Sequence, residues 1–251
     1  MALAHRIIPV LLMRGGQLVK GRLYNSDRVV GNVQQAAEIY QARGVDELIV
    51  LDVAATLRGH QPDLVMLRKL TEKCFMPITY GGGITSVEQV RKILASGADK
   101  VVIGTAAYED PGLITRCAKK FGSQAICVSV DADFDGHGWF MSTRCGTVQH
   151  FFSPLAFAQD MEDRGAGELI VNAVKNDGMM CGYDLAIIRK IAKAVSVPVI
   201  ASGGCGNYNH MHKALTAGAS AVAAGAMFQF LDLTPRGAAE YLAAKGWEVR
   251  L

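Results

Sequence analysis

Eight short apolar segments alternate with eight longer amphipathic segments along the 251 residues of this chain. The apolar segments are continuous runs of Val, Ile, Leu and Ala, which is typical of strands buried on both faces of a parallel sheet. The longer segments place apolar residues on one helical face; in residues 86–97 these are Val87, Val90 and Ile93, and Gly97 ends the pattern. We predict strands at residues 6–12, 47–52, 76–81, 100–104, 124–131, 167–172, 198–202 and 221–225. We predict helices near residues 33–43, 62–73, 86–97, 111–120, 154–164, 184–193, 208–217 and 236–245.

This alternation favours a closed (β/α)8 barrel, an α/β fold of the TIM-barrel type, over an open sheet. A chain of this length with 50% hydrophobic residues can bury one large core, and barrels of about this size are single domains. No linker or low-complexity segment interrupts the pattern. We therefore expect residues 1–251 to form one domain.

The chain also repeats itself halfway along. The stretch GVDELIVLDVAA begins at Gly44 and the stretch GAGELIVNAVKN begins at Gly165, an offset of 121 residues. Two further stretches, MPITYGGGI and VPVIASGGCG, show the same offset. Strands 2–4 therefore match strands 6–8, which predicts two half-barrels at about residues 1–122 and 123–251.

The composition argues against several classes of function. A net charge of +3 is too small to indicate binding to nucleic acid or to an acidic membrane surface. Six cysteines without CxxC or CxxH spacing indicate a reduced, cytoplasmic protein without a zinc site, and we expect neither a metal nor a cofactor. The start MALAHRIIPV is too soon interrupted for a signal peptide, and no apolar run reaches the roughly 18 residues of a membrane span.

Two glycine clusters follow predicted strands at equivalent places in the two halves. They are Gly81, Gly82 and Gly83 after the third strand, and Ser202, Gly203 and Gly204 after the seventh. Glycine lets the backbone approach a phosphate, whose oxygens accept hydrogen bonds from N–H groups at the next helix start. The matching stretches GTAA, with Thr105, and AGAM, with Gly225 and Ala226, close the fourth and eighth strands. This layout predicts two phosphate sites for a bisphosphate substrate; the alternative is that the glycines only form tight turns.

A carboxylate at the end of the fifth predicted strand is the first candidate for catalysis. Active sites of (β/α)8 barrels lie at the C-terminal ends of the strands, where Asp131 can act as a general acid or base. The alternative is a helix cap or a salt bridge. Asp52, which ends the second strand, and Asp177 and Gly178, which follow the sixth, are candidates for lining the pocket. Aligning the apolar cores of the first and fifth strands sets Leu12 opposite Asp131.

A second group of charged residues lies at the opposite ends of the strands. Its members are Arg6, Glu47, Lys100 and Glu168, at the starts of the first, second, fourth and sixth strands. Burying four charges is unfavourable unless they satisfy one another, so we expect them to pair as a ring. Their spacing alone favours a stabilising plug, the usual role of residues at that face.

Ten short strings along the chain together point to one protein family. They are RIIP, LVKG, DELIVLD, YGGGI, GADKV, FGSQA, RGAGE, GYD, ASGG and AVAAG. In this combination the chain resembles HisF, the cyclase subunit of imidazole glycerol phosphate synthase, over essentially its full length. The resemblance implies a HisH-like glutaminase docked beneath the barrel, whose ammonia travels through the core to a bisphosphate ribonucleotide at the mouth. Ring closure and cleavage there give imidazole glycerol phosphate and an aminoimidazole carboxamide ribotide.

The resemblance also implies roles for particular residues. Family phosphate sites fall on the two glycine clusters with Thr105, Asp177 and Gly178, and the lysine of the flexible first loop matches Lys20. The charged residues at the strand starts match a family ring, which changes their interpretation from a plug to an ammonia gate. Asp99 matches a residue of the face on which the glutaminase docks.

One catalytic residue of the family is missing here. The family uses two aspartates, at the ends of the first and fifth strands; the second matches Asp131, whereas the first falls on Leu12, which cannot transfer a proton. Gly104 also replaces a family asparagine, and the stretch VKNDGMM replaces the usual Asp-Arg-Asp-Gly-Thr.

These departures resemble HisF paralogues linked to cell-surface polysaccharide biosynthesis, which are thought to pass ammonia to a separate sugar amidotransferase. We therefore interpret the chain as an ammonia-conducting lyase-type subunit that supports amidation of a nucleotide sugar, with a HisH-like glutaminase and a sugar amidotransferase as partners. Two alternatives remain: the histidine-pathway cyclase itself, and a scaffold barrel that only activates its glutaminase. Position 12 argues against the first alternative, and the retained Asp131 and glycines argue against the second.

Overall fold

The computed structural model describes residues 4–251, with the side chains of residues 26 and 27 left out. Its strands are β1 (Arg6–Arg14), β2 (Gln17–Arg22), β3 (Asn25–Asn32), β4 (Leu48–Asp52), β5 (Ile78–Gly81), β6 (Lys100–Ile103), β7 (Ile126–Phe134), β8 (Trp139–Thr143), β9 (Val148–His150), β10 (Glu168–Ala173), β11 (Val199–Ser202) and β12 (Ala221–Ala224). Its helices are α1 (Val33–Ala42), α2 (Ala55–Arg58), α3 (Leu64–Thr71), α4 (Val87–Ala95), α5 (Thr105–Glu109), α6 (Gly112–Phe121), α7 (Pro154–Asp163), α8 (Leu185–Ala192), α9 (Tyr208–Thr216), α10 (Ala226–Phe230) and α11 (Pro235–Ala244). None of the helices within residues 4–251 has the length and apolar character needed to cross a membrane.

Eight of these strands form a closed parallel barrel. The order around the barrel is β1, β4, β5, β6, β7, β10, β11 and β12, and β12 pairs with β1 to complete the ring. One of the eight longer helices precedes each barrel strand from β4 to β12, and α11 follows β12. The predicted (β/α)8 barrel is therefore confirmed, and its strands and long helices lie within a few residues of the predicted bounds.

Two hairpins extend the barrel at its C-terminal rim, and the sequence pattern did not predict them. β1 runs on to Arg14 and pairs with β2, which pairs with β3; β7 runs on to Phe134 and pairs with β8, which pairs with β9. The first and fifth barrel strands are therefore longer than predicted, and Leu12 and Asp131 lie within them rather than at their last residues.

Alternation along each strand separates two apolar layers. In β1, Ile7 and Leu11 pack against the surrounding helices, whereas Ile8 and Val10 point into the barrel. This follows from the two-residue period of a strand. The barrel interior is filled by a compact apolar cluster of Ile8, Ile49, Val102, Cys127, Ile170, Ile200, Ala221 and Ala223.

The strand register places Leu12 and Asp131 at equivalent positions. Leu12 lies beside Leu51 of the neighbouring strand β4, and Asp131 lies beside Asn172 of β10. Leu51 and Asn172 are 121 residues apart, which is the offset of the sequence repeat. The comparison of Leu12 with Asp131 therefore rests on hydrogen-bonded register as well as on sequence; the division into half-barrels at residue 122 remains a prediction.

Candidate functional site

A cavity of about 380 Å³ opens at the C-terminal ends of the barrel strands. Among the residues proposed from the sequence, it is lined by Leu12, Asp52, Gly82, Gly83, Thr105, Asp131, Asp177 and Ser202. A smaller cavity of about 40 Å³ adjoins it and is lined by Leu12, Lys20, Asp177, Gly178, Ser202, Gly203, Gly204, Gly225 and Ala226. The structure thus brings the proposed mouth residues other than Gly81 to one rim, in two groups that share Leu12, Asp177 and Ser202.

The first glycine cluster lies beside Asp52 on one side of the mouth. Gly82 has a φ of +116°, and a side chain there would collide with the backbone oxygen of Asp52, so only glycine fits this turn. The Asp52 carboxylate accepts a hydrogen bond of 3.0 Å from the Ala54 N–H, and burial raises its pKa. Thr105 begins α5 on the same side, and its Oγ1 accepts a hydrogen bond of 2.9 Å from the Arg144 N–H. The glycine turn at Gly82 and the Thr105 hydroxyl therefore lie on the same side of the mouth as Asp52.

The second cluster lies on the other side and contains a buried cation. Gly204 has a φ of +99° and packs so closely on the Gly182 carbonyl that a side chain would collide with it. The Nζ of Lys20 lies where a side chain on Gly225 would stand, directly before α10. Burial lowers the pKa of Lys20 to about 8, and the charge of Asp177 opposes this effect. A buried ammonium next to a glycine-rich helix start is suited to an anion.

Asp131 lies at the centre of the mouth in a small polar network. Its Oδ1 accepts hydrogen bonds from the Ser129 hydroxyl at 2.7 Å and from the Tyr24 hydroxyl at 2.9 Å. The Asn172 amide in turn donates to the Tyr24 oxygen. Burial raises the pKa of Asp131, and the donors Ser129, Tyr24 and Asn172 oppose that rise because they favour the charged form. A carboxylate with a raised pKa that faces a cavity has the properties of a general acid or base.

Leu12 places an apolar side chain at the position equivalent to that of Asp131. It lines both cavities, next to Val10 and across from Asp177 and Ser202. Within the described residues, the mouth thus holds one central carboxylate on β7 and a hydrocarbon at the matching place on β1. Gly104, directly after β6, also lines the larger cavity, and a side chain there would be in van der Waals contact with Ser129.

The four charged residues at the strand starts form a closed ring. Arg6 contacts Glu47 at 2.6 Å and Glu168 at 2.5 Å, and Lys100 contacts Glu47 at 3.2 Å and Glu168 at 2.7 Å. Each cation bridges both carboxylates. Burial lowers the pKa of Arg6, but the charges of Glu168 and Glu47 outweigh burial and raise it overall. The Thr79 hydroxyl adds a hydrogen bond of 2.6 Å to Glu47.

This ring and the mouth lie at opposite ends of one apolar interior. Arg6, Lys100 and Glu168 begin their strands, and Glu47 directly precedes β4. The interior cluster follows two residues after each of them, and the mouth residues come after that cluster. Asp99 is exposed at the same end as the ring, where its carboxylate accepts a hydrogen bond of 2.8 Å from the Ile78 N–H. The chain therefore places a charged ring, an apolar core and a glycine-lined mouth on one axis.

Sequence reasoning missed several residues of the mouth. Ser129 precedes Asp131 by two positions, so strand alternation could have placed it on the same face. Asn172 could have been found as the polar counterpart of Leu51 in the repeat. Tyr24 carried no such signal, because it is 107 residues from Asp131 in the sequence. No set of three or more His, Cys, Asp or Glu side chains in residues 4–251 is arranged as a metal site, and the absence of a cofactor stays a prediction.

Comparison with known proteins adds a family to this geometry. Residues 6–234 match the family described as "Histidine biosynthesis protein". The chain is 41% identical over 250 residues to "Imidazole glycerol phosphate synthase subunit HisF" of Chlorobium phaeobacteroides (strain BS1), covering 99% of this chain and all of that protein. It is 40% identical to the subunit of the same name from Pelodictyon phaeoclathratiforme, with the same coverage. It is 37% identical over 249 residues to that of Thermococcus onnurineus (strain NA1), covering 99% of both chains.

Proposed function

Because this chain belongs to the histidine biosynthesis protein family and is one of its HisF-type members, we propose that it is the synthase subunit of a glutamine amidotransferase complex. In this proposal it receives ammonia from a HisH-like glutaminase and uses it at the barrel mouth. The observation that carries the proposal is the single axis from the charged ring, through the apolar interior, to Asp131.

For the reaction at the mouth, we propose ring closure and cleavage of a bisphosphate ribonucleotide. The names of the relatives favour this histidine-pathway cyclase over amidation of a nucleotide sugar, for which the comparisons give no support. The two phosphates would occupy the glycine clusters on either side, with Lys20 at the second. Asp131 would act as the general acid or base at the reacting centre between them.

The ring at the other end would act as the ammonia gate. Its ion pairs are partly buried, so one pair must separate to open a path into the barrel. The glutaminase would dock on the face around Asp99, where Phe75 is 84% exposed near the start of β5. An aromatic side chain of that exposure is suited to a protein interface. The cysteine usage supports a reducing, cytoplasmic location for this complex.

A second candidate function is supported by Leu12. A hydrocarbon where the family has a catalytic aspartate would weaken proton transfer in ring closure, since one acid–base group typically contributes 10²–10⁴-fold to the rate. In this candidate the barrel delivers ammonia to a separate sugar amidotransferase, and Asp131 only guides its release. A scaffold without chemistry is the third possibility, in which Asp131 and the glycines have no role in turnover.

Turnover with ammonium salt in place of the glutaminase separates the cyclase from the other two candidates. If the chain is the cyclase, the wild type turns over the bisphosphate ribonucleotide, and Asp131→Asn lowers the rate by about 10²–10⁴-fold. Asp135→Asn is the matched control, because Asp135 lies in an exposed turn and an asparagine keeps its two backbone hydrogen bonds. Wild-type turnover as low as that of Asp131→Asn would overturn the cyclase proposal and leave the other two candidates.

A further inference from the structure

The hairpin of β2 and β3 lies at the mouth, and its Tyr24 donates a hydrogen bond to Asp131. Its turn is formed by Leu23 and Tyr24, whose φ values of 53° and 65° lie in the left-handed region that non-glycine residues rarely adopt. The Leu23 N–H donates a hydrogen bond of 2.9 Å to the Asp177 carbonyl, which fastens the turn to the opposite rim. A strained turn with a specific contact at a site is maintained by the structure around it.

The turn directs the Tyr24 hydroxyl onto one particular oxygen. Tyr24 and Ser129 both donate to Oδ1 of Asp131, so Oδ2 is the oxygen left for a molecule in the cavity. Asn172 donates to the Tyr24 oxygen and fixes which way its proton points. Burial raises the pKa of Tyr24 well above its ordinary value, with the charges of Asp131 and Asp177 adding to the effect, so the phenol remains a donor.

The same hairpin carries the cation of the smaller cavity. Lys20 lies on β2, four residues before Tyr24, and its Nζ is at Gly225 on the far side of the mouth. One short element therefore touches both the predicted anion site and the central carboxylate. An anion that holds Lys20 in place also holds the turn that positions Tyr24.

We propose that Tyr24 is a positioning residue that links anion binding at Lys20 to the orientation of Asp131, with Oδ1 held by the phenol and Oδ2 presented to the substrate. This inference rests on the proposed catalytic role of Asp131 and extends it to a residue outside the barrel strands. A phosphorylated substrate would thus help to arrange the carboxylate that acts on it. Asp131 would stay poorly oriented toward a molecule that lacks a phosphate at Lys20.

Several other groups face Asp131 and must be held constant in a test. Asp177 faces it from the loop after β10, Cys145 from the turn between β8 and β9, and Asp52 from the end of β4. Burial raises the pKa of Cys145 to about 11, so this thiol stays neutral at ordinary pH. Tyr24→Phe removes only the phenol oxygen and leaves these neighbours and the aromatic packing in place.

The first test is the titration of Asp131 followed by NMR of protein labelled with ¹³C at aspartate carboxyl groups. Asp131→Asn identifies the signal. In Tyr24→Phe, Asp131 loses a donor that favours its charged form, and its titration midpoint should rise by about one pH unit. Tyr108→Phe is the control, because Tyr108 is a tyrosine of the same face that stacks on His150 instead of contacting Asp131. An unchanged midpoint in Tyr24→Phe would overturn the inference.

The second test asks whether an anion at Lys20 holds the hairpin. Arg22 and Arg28 are exposed on β2 and β3, so limited trypsin digestion reports how often this hairpin opens. Saturating inorganic phosphate should slow cleavage of the wild type several-fold and leave Lys20→Met unaffected. Equal slowing in both proteins would remove the link between Lys20 and the hairpin and overturn the coupling.

These two readouts do not depend on turnover, so the inference and the proposed function can fail separately. If the Asp131 midpoint is unchanged in Tyr24→Phe while Asp131→Asn abolishes turnover, Tyr24 has no positioning role and the cyclase proposal stands. If Asp131→Asn leaves turnover unchanged, the proposed function fails whatever the NMR titration gives.

Discussion

Replacing Lys100 by methionine tests the charged ring most severely. Lys100 bridges Glu168 at 2.7 Å and Glu47 at 3.2 Å, and the side chains of these residues are 19%, 12% and 3% exposed. The change removes one of two cations and leaves Arg6 as the remaining cation of the ring, bonded to both carboxylates. Methionine keeps most of the side-chain length, so the loss is one of charge rather than of packing.

The expected loss of stability follows from these contacts. Removing one partner of a buried ion pair typically lowers the free energy of unfolding by about 3–5 kcal/mol. We expect about 3 kcal/mol, because Arg6 stays bonded to both carboxylates and Thr79 still donates to Glu47. With a urea m-value of about 3 kcal/mol per M for a chain of this size, the unfolding midpoint should fall by about 1 M.

The control for this experiment is a lysine in an exposed pair. Lys92 lies 3.9 Å from Glu88, and both side chains are more than half exposed. Exposed pairs contribute about 0–1 kcal/mol, so Lys92→Met should hardly change the urea midpoint. Equal midpoints for Lys100→Met and Lys92→Met would refute the argument that the ring is a desolvated network.

The Lys100→Met variant also distinguishes between the two roles of the charged ring, an ammonia gate and a structural plug. In the reconstituted complex with the glutaminase, a malformed gate lets ammonia escape, so Lys100→Met should release more glutamate per molecule of product than the wild type. A plug predicts the loss of stability with no change in that ratio. A folded Lys100→Met protein with the wild-type ratio would therefore leave the ring a structural element only.

Three further predictions concern the mouth. Sulfate should bind up to about tenfold more weakly at pH 9 than at pH 7 in titration calorimetry. The reason is that Lys20, with a pKa of about 8, loses its proton between these pH values, whereas the charge of sulfate stays constant. Sulfate binding that does not change with pH would contradict this prediction. Gly204→Ala should lower the midpoint temperature of unfolding and weaken sulfate binding. Gly204 has a φ of +99° and contacts the Gly182 carbonyl, so there is no room for a side chain. A variant that unfolds at the wild-type temperature would contradict this prediction. Leu12→Asp should raise ammonium-dependent cyclase turnover by at least tenfold if the apolar residue limits proton transfer, and an unchanged rate in a folded variant would show that it does not.

The barrel could be predicted from the sequence because each part of it has a local signal. Strands buried on both faces are unbroken apolar runs, and the helices between them have one apolar face. The repeat predicted that the first strand matches the fifth, and aligning their apolar cores set Leu12 opposite Asp131 at an offset of 119 residues; the strand neighbours Leu51 and Asn172 are 121 residues apart, as in the repeat. The glycine clusters were visible for a similar reason, since close backbone approach admits only glycine at Gly82 and Gly204.

The turn between β2 and β3 could not be predicted from local sequence, whereas the turns at Gly15 and Gly16 and at Asp135 and Gly136 carry the usual glycine signal. Hairpin turns can usually be recognised in a sequence by Gly, Asn or Asp, whereas the turn between β2 and β3 has Leu23 and Tyr24 in left-handed conformations. Contacts with distant parts of the chain stabilise that turn, such as those of Tyr24 with Asp131 and of Leu23 with Asp177. A window of local sequence contains none of this information, so the contact of Tyr24 with Asp131 emerged only from the folded chain.

The central claim is that ammonia reaches Asp131 through the barrel from the end that carries Arg6 and Lys100. The most direct measurement supplies the complex with glutamine labelled by ¹⁵N at its amide, the bisphosphate ribonucleotide, and an excess of unlabelled ammonium in solution. Our account predicts that the new nitrogen of imidazole glycerol phosphate comes mainly from glutamine, because the apolar interior separates the transferred ammonia from the solvent. If the product instead contained ¹⁵N only in proportion to its share of all the ammonium in solution, the account would be contradicted, because the ammonia would then have entered at the mouth.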